Sequence, residues 1–327
     1  MTLNQHTVIQ TDGLTKLYKG SRRSKNILAL DKLTLSVQRG EIFGYLGPNG
    51  AGKTTTIRLL LDLIRPTSGS AKLFGMDAVA DSQAIRQKIG YLPAELNLWE
   101  NLTARQIIHY LGATRGGADM NYVNQLAERL QFDLTKKVKS YSTGNKRKLG
   151  LIIALMGKPE LLILDEPSSG LDPLMQQTFN QLMLEAKAEG RTIFISSHVL
   201  SEVQAICDRV AILRHGQLQA VERVDQLTHA DFRWVTIRLR EAAPSDAFAN
   251  VTGASEISVD GATVQLRMRG DFDPLLRALA PYYVQDMRVQ EPTLEEIFLT
   301  YYGETPAANG KNGRGNVNAA AEKELVK

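Results

Sequence analysis

The chain has 327 residues, 43% hydrophobic and 23% charged, with a net charge of +4 and a pI near 9.0. That length supports one large core and a second, smaller domain, in the composition range of a soluble α/β protein. The mild basicity does not by itself predict a nucleic-acid surface, and a single cysteine, Cys207, excludes an internal disulfide and a cysteine-rich metal site.

Met1 to Gly13 is polar and carries no apolar stretch of the secretory kind. The longest apolar run, Leu149 to Gly157, is nine residues long, well short of the roughly 20 that a membrane span needs. The expectation is a cytosolic protein, or one held at a membrane by another chain. Val8 to Leu17 and Ile27 to Val37 alternate as strands, and the basic insert Lys19 to Lys25 between them reads as a solvated loop. Arg39-Gly40 turns into a third strand, Ile42-Phe43-Gly44-Tyr45-Leu46.

That strand runs into Gly47-Pro48-Asn49-Gly50-Ala51-Gly52-Lys53-Thr54, a complete G-x-x-x-x-G-K-[ST] phosphate loop, and Thr55 onward reads as a helix. A strand, a glycine-rich turn and a helix start are the context in which backbone N–H groups converge on an anion. Lys53 is the candidate for the β- and γ-phosphates, and the Thr54 hydroxyl for Mg²⁺.

The helix ends before Pro66. Thr67 to Ser70 reads as a turn into a short strand, Ala71 to Phe74, and Ile89 to Leu92 reads as another. Residues 100–115 and 119–131 look helical, and Leu149 to Met156 a buried helix. Leu161 to Leu164 is a continuous apolar run of the kind buried on both faces of a parallel sheet. It ends in Asp165-Glu166-Pro167, placing Asp165 to bind Mg²⁺ and Glu166, one residue on, to polarise an attacking water. Met175 to Ala188 is helical, Thr192 to Ser196 a buried strand, Leu200 to Cys207 a helix with Cys207 inside, and Val210 to Leu213 a strand before the hairpin turn Arg214-His215-Gly216.

Past residue 228 the texture changes. Phe232 to Arg240 alternates. Ile257 and Val259 lead into Asp260-Gly261, a hairpin signal, and Val264, Leu266 and Met268 return. Pro274 to Ala280 reads as a short helix, Tyr283 to Val289 as a strand and Leu294 to Tyr301 as a helix. The expected organisation is an α/β nucleotide-binding domain over residues 1–228 with a helical subdomain at about 95–155, a small α+β accessory domain over 229–304, and a tail at 305–327 with too little to bury to order itself.

Several further segments make the chain, over about residues 8–225, resemble the ATP-binding subunit of an ABC transporter. Tyr141-Ser142-Thr143-Gly144-Asn145 resembles the signature segment, Ser168-Ser169-Gly170-Leu171-Asp172-Pro173 the D-loop, His198 the switch histidine, and Tyr18 the aromatic residue that stacks on adenine. The resemblance implies two copies meeting head to tail, each ATP lying between one phosphate loop and the partner's signature segment. It implies that Ser142 and the backbone near Gly144 bind the γ-phosphate, that Asp172 organises the dimer, and that His198 orients the water. Two positions depart from the family. Thr143 adds a side chain where glycine is usual, and Ala94, next to Glu95, stands where a glutamine usually ligates Mg²⁺ or water. In Lys146-Arg147-Lys148 the main reading is a solvated face, with Lys146 adding to the anion field.

Among such proteins the chain is most similar to bacterial export ATPases that pair with separate ABC-2-type permeases. Leu98, Trp99 and Leu102 read either as a groove for a permease helix or as internal packing of the helical subdomain. The implied function is an ATP-hydrolysing export motor at the cytoplasmic face of the membrane, with ATP and Mg²⁺, a second copy of itself and a permease as partners, and no nucleic acid. The alternatives are a soluble ABC ATPase acting on ribosomes or nucleic acid, and a non-transport nucleotide sensor. The C-terminal unit reads as regulatory, as dimer contact or as a stabilising appendage.

Overall fold

The computed structural model describes residues 6–20, 25–114, 117–227 and 232–290. Its centre is a six-stranded sheet in the order β10-β9-β3-β8-β7-β6, formed by β3 (Ile42–Leu46), β6 (Ile89–Leu92), β7 (Leu161–Asp165), β8 (Thr192–Ser197), β9 (Arg209–Arg214) and β10 (Gln217–Arg223). All pairs are parallel except β9–β10. The central strands β3, β7 and β8 are buried throughout and mostly apolar because both faces are covered. Ile42 and Leu46 of β3 join one core with Leu162 and Leu164 of β7. Phe43 and Tyr45 join the other with Leu161 and Ile163.

The second core is closed by an antiparallel sheet, β2-β1-β4-β5, made of β1 (Thr7–Tyr18), β2 (Ile27–Gln38), β4 (Ser68–Leu73) and β5 (Met76–Asp77), together with α1 (Lys53–Leu60). The expected turn at Ser68 to Ser70 is instead the start of β4, with Ser70 opposite Asp12 and Ser68 opposite Thr15. α2 (Ser82–Gln87) precedes β6 and was not expected.

The first core is covered by α3 (Ala104–Ala113), α4 (Met120–Arg129), α5 (Thr143–Leu155), α6 (Pro173–Ala188) and α7 (Leu200–Ile206). The helix expected from residue 100 starts at Ala104 because Thr103 caps it, its hydroxyl accepting from Gln106 N while the Gln106 side chain accepts from Thr103 N. The helix expected at Leu149 begins six residues earlier, at Thr143, behind the Ser142 cap. Cys207 is buried immediately after α7, and burial pushes its thiol pKa far up. The turn after β9 uses His215 and Gly216, both at positive φ, and β10 returns from it as an unforeseen edge strand.

After α8 (Val224–Leu227), residues 232–290 form a third sheet, β12-β13-β11-β14, from β11 (Phe232–Leu239), β12 (Ala254–Asp260), β13 (Thr263–Arg269) and β14 (Val284–Gln290). With α9 (Asp273–Leu279) it encloses a separate core containing Val235, Ile237, Leu266 and Leu275. Asp260 pairs with Thr263, so the hairpin turn is Gly261-Ala262, and not Asp260-Gly261. The helix expected at Leu294 to Tyr301 and the tail at 305–327 lie outside the described residues.

Candidate functional site

The site forms where β3, β7 and β8 end together at their carboxyl edge. The phosphate loop leaves β3 at Gly47, whose N–H donates to Ser197 O at 3.2 Å. A Cβ on Gly47 would collide with the Leu213 carbonyl, so only glycine lets the loop pass β9. Gly52, at φ 108°, has Ala29 O 2.5 Å from where its Cβ would stand. That contact seats the loop against β2. Thr56 Oγ1 donates to Gly52 O at 3.1 Å and meets the buried Tyr45 hydroxyl at 3.0 Å, which fixes the first turn of α1.

Lys53 is only 5% exposed. Its Nζ lies 2.5 Å from Gly47 O, 3.3 Å from Pro48 O and 3.1 Å from Glu166 Oε1. The ammonium therefore sits at the mouth of the loop, a compact charge with three donors. Thr54 Oγ1 donates to Asp165 Oδ2 at 2.9 Å, and Ser196 Oγ donates to Asp165 Oδ1 at 2.5 Å. Asp165 is fully buried, so both carboxylate oxygens are held by hydroxyls and aimed from β7 at the start of α1.

Glu166 follows at φ 51°, in the left-handed region that costs a non-glycine residue about 1 kcal/mol. Its N–H donates to Ser196 O and Oγ at 3.2 and 3.1 Å. That backbone turns its carboxylate back across the strand end, where Oε2 lies 2.7 Å from His198 Nδ1. His198 does not cap α7; that position is held by Val199, and Ser197 Oγ accepts from Val199 N.

The signature and D-loop segments lie side by side in one chain. Ser142 caps α5, accepting from Asn145 N at 3.3 Å, and Thr143 is its exposed first residue, so the added side chain leaves the cap intact. A Cβ at Gly144 would lie 2.9 Å from Gly170 O. Ser169 and Gly170 are exposed, Leu171 is buried, and Asp172 caps α6 by accepting from Met175 N at 3.0 Å. Tyr18 ends β1, 38% exposed and opposite Ile27, two residues before the Ala29 that packs on the phosphate loop.

Glu95 is exposed, and among the described residues it is not a hydrogen-bond or ion-pair partner of Lys53, Asp165, Glu166 or His198. Leu98 and Leu102 pack partly on the first core, whereas Trp99 is 51% exposed and stacks edge-on with Tyr110, 58% exposed, at 5.3 Å. Leu98 and Leu102 thus serve internal packing, and Tyr110 is a neighbour of Trp99 that sequence reasoning missed.

The largest correction concerns Arg147. Expected on a solvated basic face, it is 5% exposed and donates five hydrogen bonds, all to backbone carbonyls. Burial pushes its pKa down while Asp165 and Glu166 push it back up. Only the helix face offered a clue: Arg147 stands four residues before buried Leu151 and eight before buried Leu155. Lys146 pairs with Glu100 at 3.4 Å. Tyr91, beside Asp165, has its pKa pushed up to about 12, chiefly by burial.

For a cation the donors are the Thr54 hydroxyl and the Asp165 carboxylate, both hard oxygens, the set suited to Mg²⁺ shared with phosphate and water. Among the described residues no group of three or more His, Cys, Asp or Glu forms a cage of its own.

The ABC transporter family profile matches residues 30–169. The chain is 40% identical over 238 residues to the bacitracin transport ATP-binding protein BcrA of Bacillus licheniformis, covering 72% of this chain and 76% of that one. It is 35% identical over 319 residues to the daunorubicin resistance ATP-binding protein DrrA3 of Streptomyces coeruleorubidus, covering 91% and 96%. A dimeric ATP-binding cassette bound to ADP and Pi shares the fold, with TM-score 0.61 at 22% identity over 66% of this chain and 98% of that one.

Proposed function

This chain belongs to the ATP-binding proteins of bacterial ABC transporters, and on that premise we propose that it is the ATP-hydrolysing motor of an exporter whose membrane-spanning part is a separate ABC-2-type permease. The observation that carries the reading is the Glu166 carboxylate, suspended between Lys53 Nζ at 3.1 Å and His198 Nδ1 at 2.7 Å at the mouth of the phosphate loop. Phosphoryl transfer needs little covalent help from a protein; it needs the triphosphate and the water held in line and the charge neutralised.

In this reading the loop N–H groups and the N-terminus of α1 cradle the β-phosphate, and Lys53 neutralises the β- and γ-phosphates. Tyr18 stacks on the adenine. Thr54 and Asp165 would hold Mg²⁺, which would supply charge neutralisation for the phosphates. Glu166 accepts the proton of the water that attacks the γ-phosphorus, and His198 fixes that carboxylate and the water's direction. Breaking the bond to the β-phosphate oxygen releases ADP.

Two copies close around two nucleotides. Ser142 and Thr143 stand exposed at the positive end of α5, with Gly144 half-buried beside them; in this reading Ser142 and the backbone near Gly144 cover the γ-phosphate bound by the partner. Closure is favoured only to the extent that ATP binds the closed pair more tightly than the open one. Trp99, with Tyr110, is the exposed aromatic site for a permease segment; Leu98 and Leu102 support it from the core side. Among the described residues no helix is long and apolar enough to cross a membrane, and we place the chain at the cytoplasmic face, held there by the permease. The relatives' names refer to antibiotic transport and resistance, which favours export. Residues 1–228 form the motor and 229–304 an accessory domain.

The test is Mg²⁺-dependent ATP hydrolysis by the purified chain, combined with affinity capture from native membranes. A co-purifying polytopic membrane protein supports the reading; co-purifying ribosomes contradict it.

A further inference from the structure

Arg147 joins two backbone segments that no other side chain described here connects to one another. Nη1 donates to Pro93 O at 2.5 Å and Ala94 O at 3.1 Å, in the loop after β6. Nη2 donates to Asp165 O at 2.5 Å and to Glu166 O, and Nε to Pro167 O at 3.2 Å. A guanidinium has five N–H donors in a fixed planar fork, and here each has its own carbonyl. No carboxylate side chain is among these partners. A buried cation is costly, and its retention demands that every donor be satisfied.

The two ends of this strap differ in kind. Residues 93–94 begin the loop that carries exposed Trp99, the proposed permease contact. Residues 165–167 contain the left-handed Glu166, whose peptide orientation decides where its carboxylate points. Ser196 holds the Glu166 N–H; Arg147 holds its carbonyl. A shift of the 93–99 loop or of α5 relative to β7 therefore bears directly on that peptide.

We infer that Arg147 is a positioning residue that ties the permease-facing loop to the Glu166 backbone, so that movement of the helical subdomain sets the aim of the hydrolytic carboxylate. The inference rests on the ATPase reading for the role of Glu166, but the strap has a readout of its own.

Full-length Arg147→Lys and Arg147→Gln test it by hydrogen–deuterium exchange and by kinetics. Lysine keeps the charge but cannot span both segments. In either variant, amide exchange in 94–97 and 166–169 should rise about tenfold or more while α1 stays protected. kcat per bound nucleotide should fall about tenfold or more, with KM for ATP within about threefold of wild type. Wild-type exchange at both segments, wild-type kcat, or rescue by lysine overturns the strap. So does exchange that rises throughout both cores, which marks a merely structural residue. An inactive wild type together with the expected local exchange would instead strike the ATPase reading and leave the strap standing.

Discussion

Glu166 Oε2 lies 2.7 Å from His198 Nδ1, joining the end of β7 to the turn after β8. The same carboxylate reaches Lys53 through its other oxygen at 3.1 Å. One carboxylate thus has one oxygen on the Lys53 ammonium and the other on an imidazole, the arrangement from which its proposed part in hydrolysis is argued. Glu166→Gln keeps the shape and removes the base. It should lower kcat about 100-fold or more, while ATP affinity, read by fluorescent-nucleotide titration, stays near wild type. His198→Ala should lower kcat by a smaller factor, about tenfold to 100-fold. Normal turnover in Glu166→Gln would remove Glu166 from the chemistry.

Ser196 deserves its own variant because it acts on both acids, donating to Asp165 Oδ1 at 2.5 Å and accepting from Glu166 N at 3.1 Å. Residues that orient a metal ligand typically affect metal affinity about 10- to 100-fold. Ser196→Ala should therefore raise the Mg²⁺ concentration for half-maximal turnover by about tenfold. An unchanged Mg²⁺ titration would separate Ser196 from metal binding.

How much of this was legible before folding differs from group to group. The phosphate loop was visible because its residues keep a fixed local spacing on one strand–turn–helix, and Asp165 and Glu166 because they close the apolar run of β7. The parallel strands of the central sheet were visible because two-sided burial leaves a largely apolar run, whereas the half-exposed edge strand β10 leaves none. Arg147 was hidden because its partners are carbonyls, which any sequence supplies, and they lie 18 to 54 residues away. Trp99 and Tyr110 were hard to pair because the contact crosses from a loop to a helix. The start of β4 was misread because Ser and Gly favour turns locally, while pairing to β1 is a tertiary effect.

Gly90 gives a stability prediction. It lies on β6 with an ordinary strand backbone, but an added Cβ would collide with Ala154 O and lie 2.8 Å from both Leu162 Cδ2 and Pro159 Cγ. The close approach of α5 to β6 depends on it. Gly90→Ala should cost about 2 kcal/mol or more, seen as a lower urea midpoint with the slope unchanged.

Arg129 and Glu185 tie α4 to α6 through two contacts, at 2.5 and 3.0 Å. The Arg129 hydrogen bond holds the Glu185 carboxyl below its usual range. A depressed carboxyl pKa adds stability that is complete above the unfolded value, near 4.3, and is lost as pH falls through the lower folded value. Because Glu185 is 42% exposed, the pair should be worth under about 1 kcal/mol. The stability gap between wild type and Arg129→Gln should be widest near neutral pH and close in strong acid. A gap that grows on acidification would contradict this assignment.

The account turns on ATP being enclosed by two copies of the chain. The decisive measurement is the solution mass and nucleotide content of Glu166→Gln with Mg²⁺ and ATP, by light scattering and quantified bound nucleotide. The account predicts a dimer holding two ATP that reverts to monomer when ATP is removed. A saturated monomer holding one ATP would contradict it.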